Sequence, residues 1–184
     1  MFIGRDKELN ALDKLYKSDK FEFVVIYGRR RVGKTALINE FCKDKPTIFF
    51  SALNASAQEN LEAFSKAICE KENPGTDLAP VYPSFDAAFT KITQMAENER
   101  LVLVIDEYPY LARASKSISS RLQHIIDHTW KNGQLFLILC GSSMSFMEYQ
   151  VLGYFYIYSD YADETYMMSI DSLFLVEADG KLDL

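Results

Sequence analysis

The sequence contains few cysteines and few histidines, which limits the chemistry that it can carry. Cys42, Cys69 and Cys140 are the only three cysteines among 184 residues, and only two histidines accompany them. The cysteines are widely spaced and form no C-x-x-C pair. This pattern argues against a disulfide framework and against a structural zinc site. It indicates reduced, buried thiols in a cytoplasmic protein.

Long apolar runs are also missing. No run approaches the ~20 residues that a membrane-spanning helix needs. The N-terminal segment 1–6 reaches charged residues too soon for a signal peptide. We therefore expect a cytoplasmic protein without a membrane partner, and the ordinary length and composition fit one globular domain.

The chain lacks the surplus of basic residues that is typical of nucleic-acid-binding domains. Its formal net charge is −6, and residues 1–150 contain equal numbers of basic and acidic side chains. Residues 151–184 contain seven acidic residues against Lys181 alone, so they form a compositional unit of their own. Neither part resembles an electrostatic nucleic-acid binder.

The strongest motif lies at residues 24–35. An apolar run leads into G-x-x-x-x-G-K-T, and a helix-like segment follows. This is the phosphate-binding P-loop (Walker A) pattern in its strand–loop–helix setting. Gly28 and Gly33 permit backbone conformations that aim N–H groups at phosphates. Lys34 is predicted to reach the β- and γ-phosphates and to assist catalysis, and Thr35 to ligate Mg²⁺. The other residues predicted to bind nucleotide here are Arg29, Arg30, Arg31, Val32 and Ala36, the arginines being solvated or phosphate-facing rather than DNA contacts.

A second motif follows the apolar strand predicted at 101–105. Asp106 and Glu107 come directly after it, as in the Walker B pattern, at the carboxyl end of a strand where α/β sheets place ligands. Asp106 is predicted to hold Mg²⁺ through water. Glu107 is predicted to be the base that orients the attacking water. Because a hydrolase needs such a group and no N-K-x-D is present, the motifs favour ATP hydrolysis over GTP hydrolysis or kinase chemistry.

A third motif follows the strand predicted at 135–139. Ser142 and Ser143 come after Gly141. A serine there could contact the γ-phosphate or the attacking water. It could equally cap a short helix predicted at 144–149. Both interpretations stay open from the residues alone, and one serine could do each.

Hydrophobic periodicity predicts alternating strands and helices along the chain. Helices are predicted at 6–17, 35–41, from 56, from 84 and at 117–130, and strands at 21–27, 47–50, 101–105 and 135–139. This alternation predicts an α/β fold with a parallel sheet. Residues 151–184 break the rhythm, and Asp179-Gly180 is a hairpin-turn signal. They are expected to form a hairpin, an irregular cap or a partly disordered end.

Four segments together resemble the prokaryotic ATPase family of the AAA+/STAND group. They are residues 2–9, 25–35, 104–111 and 139–143, in the order that the family has them. The resemblance implies a three-layer P-loop NTPase fold whose sensor strand lies between the Walker A and Walker B strands. It further implies that Ile3, Gly4 and Arg5 lie near the adenine, that Glu107 is catalytic, and that a serine at 142–143 is the sensor.

The resemblance covers an ATPase core at 1–153 and stops there. Family members usually continue into a Tyr-Gly-Arg-Arg-like stretch and a helical lid, and often into winged-helix and nuclease-like domains. Residues 154–184 show none of this, and Arg121 is the last arginine. We expect a truncated or frame-altered end, and DNA or protein partners reached through domains absent from this chain. Arg113 or Arg121 could act in trans, although a solvated role is the simpler expectation.

Three functions remain in view at this stage. The first is binding of ATP or ADP with Mg²⁺ and slow ATP hydrolysis, since no lid arginine supports the reaction. The second is a nucleotide-dependent switch or interaction module with little turnover. The third is a fragment whose phosphate loop is empty or blocked by the acidic tail. The resemblance also leaves a homo-oligomer open, because AAA+-type sites often lie at subunit borders.

Overall fold

The computed structural model describes residues 5–75 and 80–152, together with the backbone of two strands at 165–169 and 174–176. The strands are β1 (Glu22–Tyr27), β2 (Thr47–Ser51), β3 (Val102–Asp106), β4 (Phe136–Gly141), β5 (Thr165–Ser169) and β6 (Phe174–Val176). The helices are α1 (Asp6–Tyr16), α2 (Lys34–Cys42), α3 (Ala57–Glu72), α4 (Phe85–Asn98), α5 (Tyr108–Ala114) and α6 (Ile118–His128). A 3₁₀ turn (Trp130–Asn132), a single α turn (Met144–Phe146) and a π-helical turn (Met147–Leu152) complete the described elements.

The strands form one sheet in the order β2-β3-β4-β1-β5-β6. Strands β1 to β5 are parallel, and β6 pairs antiparallel with β5. Strand β4 lies between β1 and β3, so the predicted position of the sensor strand is confirmed. The sheet continues beyond residue 153 through β5. The division of the chain at 153 stays a prediction, and the Asp179-Gly180 turn signal lies outside the described residues.

The sheet is covered on both faces, which gives the three predicted layers. Val102 and Val104 pack in one core with α1 and α2, whereas Leu103 and Ile105 pack in the other with α3 to α6. Successive side chains of a strand point to opposite faces. A strand with an unbroken apolar run, such as 101–105, is therefore buried on both sides.

Several helix boundaries differ from the predictions. The helix predicted at 117–130 ends at His128, and Trp130 begins a separate 3₁₀ turn. The helix predicted at 144–149 is one α turn followed by a π-helical turn. Helix α5 was not predicted, because it has only seven residues and Pro109 lies in its first turn. Proline is tolerated there because the first N–H groups of a helix have no partner within it.

Candidate functional site

The predicted phosphate loop connects β1 to α2 and has a positive φ at three positions, Gly28, Arg31 and Gly33. Gly33, which precedes the first residue of α2, has φ +92°. A Cβ at Gly33 would meet no atom within 4 Å, so the backbone conformation rather than crowding favours glycine there. Arg31 has φ +67°, an uncommon value for a residue with a side chain. These turns place the first N–H groups of α2, which have no helical partner, at the carboxyl edge of the sheet.

Lys34 lies inside this loop. Its side chain is buried, and its Nζ donates hydrogen bonds to the carbonyl oxygens of Gly28 and Arg29, each at 2.8 Å. No carboxylate forms an ion pair with Lys34 among the residues that the structure describes. An ammonium group has three donors. The acceptors that Lys34 Nζ contacts in the described part of the chain are two uncharged carbonyl oxygens. This environment suits an anion.

Thr35 and Asp106 meet across the carboxyl edge of the sheet. The Thr35 hydroxyl donates to Oδ2 of the buried Asp106 at 3.1 Å, and the Glu107 N–H donates to Oδ1 at 2.9 Å. Burial and the Asp106 carboxylate raise the pKa of the Cys140 thiol well above its ordinary value, so this thiol stays neutral. A hydroxyl and a carboxylate oxygen at this spacing are the hard donors that Mg²⁺ prefers. The residues present therefore fit the magnesium ion that was predicted for them.

Glu107 is held in a specific position between β3 and α5. Its backbone is left-handed, with φ +51° and ψ +40°. Its carboxylate Oε2 accepts a hydrogen bond from the Ser142 hydroxyl at 2.9 Å and from the Ser142 N–H at 3.4 Å. The ends of β3 and β4 are thus joined through one carboxylate.

The two serines after β4 differ in their contacts. Ser142 binds Glu107, whereas Ser143 precedes the turn at 144–146 without a side-chain capping bond. The capping interpretation therefore has no hydrogen bond to support it at Ser143. Gly141 permits the close packing behind them, because a Cβ there would lie 2.7 Å from the Met147 sulfur and 2.8 Å from a Pro109 carbon.

The remaining predicted residues lie around the loop. Arg5 donates to the Val32 carbonyl oxygen at 2.8 Å and to Glu8 Oε1 at 3.0 Å. Ile3 and Gly4 lie outside the described residues, so the adenine assignment of residues 3–5 stays a prediction. Within the loop segment Arg29, Arg30, Arg31 and Ala36 are exposed, and Val32 is half-buried.

A small cleft of about 180 Å³ opens beside Glu107. Its walls are Arg30, Glu107, Pro109, Tyr110, Arg113, Ser142 and Ser143. The guanidinium of Arg30 donates to the Tyr110 hydroxyl within it. Tyr110 was not predicted as a site residue, and its only sequence signal is its position three residues after Glu107. A larger cavity of about 460 Å³ lies near Trp130 and Leu135 at the opposite edge of the sheet, and no predicted site residue lines it.

The fold and the phosphate loop define a P-loop NTPase. A family model described as an ATPase domain predominantly from Archaea matches residues 2–172, and this chain belongs to that family. A relative in Methanocaldococcus jannaschii, itself uncharacterized, is 35% identical over 154 residues, which are 84% of this chain and 32% of the relative. A protein of the same organism named as ATP-binding is 44% identical over 45 residues, which are 24% of this chain and 76% of that protein.

Solved structures agree on the fold. The Walker-type ATPase of Pyrococcus abyssi superposes with a TM-score of 0.62 at 18% identity, over 87% of this chain and 50% of that chain. Cdc6p of Pyrobaculum aerophilum gives 0.61 at 16% identity, over 92% and 46%. The chain therefore spans about a third of the uncharacterized Methanocaldococcus jannaschii relative and about half of each of these two solved chains. None of the described helices combines the length and the apolarity that crossing a bilayer requires.

Proposed function

We propose that this chain binds ATP with Mg²⁺ at the loop 28–35 and hydrolyses it slowly. One observation carries the proposal. A continuous chain of hydrogen bonds runs from Thr35 through Asp106 and Glu107 to Ser142, beside the buried ammonium group of Lys34. The proposed magnesium ligands, the proposed base and the proposed sensor thus adjoin the loop that would bind phosphate.

The residues divide the work of the proposed reaction. Lys34 and the free N–H groups at the start of α2 bind phosphate oxygens. Thr35 and Asp106 would hold Mg²⁺, which neutralises charge on those oxygens. Glu107 orients a water molecule and accepts its proton while the water oxygen bonds to the γ-phosphorus. The bond from that phosphorus to the bridging oxygen breaks, and its electron pair leaves with ADP.

Single-turnover hydrolysis of γ-labelled ATP tests this proposal. We expect the wild-type protein to release labelled phosphate slowly. Glu107→Gln should keep ATP binding and lose about 10²–10⁴-fold in rate, the usual contribution of a general base. The matched control is Glu97→Gln, an exposed residue of α4, which should hydrolyse at the wild-type rate. Equal rates in wild type and Glu107→Gln would remove the catalytic assignment of Glu107.

A nucleotide-dependent switch is the second candidate. The observation that favours it is the engagement of the Glu107 carboxylate by Ser142, both through the hydroxyl and through the N–H group. The contact takes up part of the acceptor capacity of the Glu107 carboxylate, which leaves less of it for the attacking water. Tight binding of ATP and ADP, with phosphate release no faster than in protein-free solution, would support the switch instead of the hydrolase.

Partners beyond the nucleotide are proposals that follow from the relatives. One solved structure of similar fold, the ORC1 protein of Aeropyrum pernix, was determined in complex with DNA, at a TM-score of 0.58 and 17% identity. This chain covers 41% of that protein. We propose that any DNA or protein partner is bound through regions outside this chain. Self-assembly and a cytoplasmic location likewise remain predictions.

A further inference from the structure

The cleft beside Glu107 is lined by two arginines, Arg30 and Arg113. Phosphoryl transfer builds up negative charge on the transferred group, and an arginine often offsets it. The sequence supplies no arginine after Arg121. An arginine that acts within this chain must therefore lie in residues 1–121. Three candidates are Arg30 and Arg113, which line the cleft, and Arg121, for which a role in trans was considered above.

Arg121 and Arg113 are the weaker candidates. Arg121 pairs with Asp86 of α4 and bonds to Ser117, and it does not line the cleft. Arg113 lines the cleft but lies in the exposed last turn of α5. Its side chain makes no hydrogen bond or ion pair with any residue in the described part of the chain. Nothing in these contacts directs either guanidinium toward Glu107.

Arg30 differs because it is part of the phosphate loop itself. It lies between Gly28 and Gly33, so its backbone is part of the loop that would hold the nucleotide. Its guanidinium reaches across to α5 and donates to the Tyr110 hydroxyl. Both residues line the cleft with Glu107. The exposed Arg30 side chain is thus attached to the loop through its own backbone and contacts α5 through one hydrogen bond.

We propose that Arg30 is the arginine that stabilises the transferred phosphoryl group in cis, and that Tyr110 is its positioning residue. The inference rests on the proposed ATP hydrolysis. During the step the water oxygen bonds to the γ-phosphorus, the bridging oxygen leaves with its electron pair on ADP, and the water proton passes to Glu107. Arg30 gives up no proton and donates hydrogen bonds to the γ-phosphate oxygens throughout.

The test compares Arg30→Ala and Tyr110→Phe with Lys116→Ala, an exposed control that removes one positive charge outside the cleft. Arg30→Ala should lower kcat by about 10³-fold, the lower range for an arginine finger. Tyr110→Phe removes one hydrogen bond to a charged group and should lower kcat by about tenfold. Lys116→Ala should hydrolyse ATP at the wild-type rate.

Binding measurements separate this role from a structural one. ADP with aluminium fluoride mimics the transferred group, so its tight binding should be lost in Arg30→Ala while ADP alone binds as in wild type. Retained ADP affinity also shows that the variant is folded. Wild-type kcat in Arg30→Ala would overturn the inference and leave the proposed hydrolysis standing. A loss of kcat in Arg113→Ala but not in Arg30→Ala would likewise overturn the inference and leave the proposed hydrolysis standing. A wild-type protein that does not hydrolyse ATP would overturn both.

Discussion

At the scale of single residues, strained backbone is concentrated around the phosphate loop and the proposed base. Among the described residues with a side chain, Asp19, Arg31 and Glu107 have positive φ. The last two lie in the site. Each left-handed residue that has a Cβ costs roughly 1–2 kcal/mol. The fold keeps these conformations because they aim the loop and the Glu107 carboxylate at the same edge of the sheet.

The contact between Ser142 and Glu107 gives a prediction at this scale. Ser142→Ala removes the hydroxyl that holds the carboxylate at 2.9 Å. Because a hydrogen bond to a charged group contributes about 1.5–3 kcal/mol, we expect kcat to fall by about tenfold or more. Steady-state phosphate release measures the effect.

Two further serine variants sharpen that result. Ser143→Ala should lose less activity than Ser142→Ala, because Ser143 makes no side-chain bond to Glu107 among the described contacts. Ser145→Ala, an exposed neighbour, is the control. Turnover in Ser142→Ala at or above the wild-type rate would show that Ser142 restrains Glu107 rather than positioning it.

At the scale of elements, helices α3 and α4 both begin after a serine N-cap, but they differ in the residue three positions after that serine. In α3 the Ser56 oxygen accepts from the Glu59 N–H at 3.2 Å, and Glu59 Oε2 accepts from the Ser56 N–H at 3.0 Å. In α4 the Ser84 oxygen accepts from the Ala87 N–H at 3.2 Å, and no carboxylate returns the contact. The pair forms a natural comparison between a complete capping box and a simple cap.

Ser56→Ala should lower the free energy of unfolding by about 1 kcal/mol at pH 7, the usual cost of losing a cap. The Ser56 hydroxyl and N–H lower the pKa of Glu59. A lowered pKa in the folded state adds stability above the ordinary glutamate pKa, and this is lost as the pH falls through the folded value. The effect of Ser56→Ala should therefore shrink in acid, as measured by urea unfolding.

Ser84→Ala is the control for this pH dependence. It removes a cap of the same kind, but the third residue of α4 is Ala87, which does not titrate. We expect a loss of about 1 kcal/mol that stays nearly constant with pH. An equal pH dependence in both variants would mean that the Glu59 carboxylate does not contribute through the cap.

The elements also show what the sequence could and could not predict. The helix predicted from residue 56 and the apolar strand predicted at 101–105 depend on local signals, and the structure has both elements, with Ser56 as the N-cap of α3. Helix α5 was missed because a seven-residue helix after Glu107 has no hydrophobic period to detect. The contacts of Tyr110 and Ser142 depend on which strands lie side by side, and local periodicity does not determine that order. Family resemblance, rather than spacing, gave the order of β1, β4 and β3.

At the scale of the whole molecule, the sheet joins the two compositional parts of the chain. Strand β5 runs parallel to β1, in register from Phe23 with Thr165 to Tyr27 with Ser169. Strand β1 leads directly into the phosphate loop. The acidic segment after residue 153 thus supplies a neighbour to the strand that carries the site.

Removal of residues 154–184 should destabilise the protein. The deletion exposes the hydrogen-bonding edge of β1, and unpaired edges promote association. We expect a lower unfolding temperature in thermal melts and larger particles in light scattering. Deletion of residues 177–184, which leaves both β5 and β6 in place, is the control. A stable, monomeric 1–153 chain would instead support the predicted division at 153 and argue that β5 is dispensable.

The central claim is that the loop 28–35 binds ATP with Mg²⁺, and calorimetric titration tests it most directly. Purified protein is titrated with ATP in the presence and absence of Mg²⁺, with Lys34→Ala and the exposed Lys116→Ala compared under the same conditions. The account predicts magnesium-dependent binding in wild type and Lys116→Ala, and loss of binding in a folded Lys34→Ala. Absence of binding in wild type, or equal binding in Lys34→Ala, would contradict it.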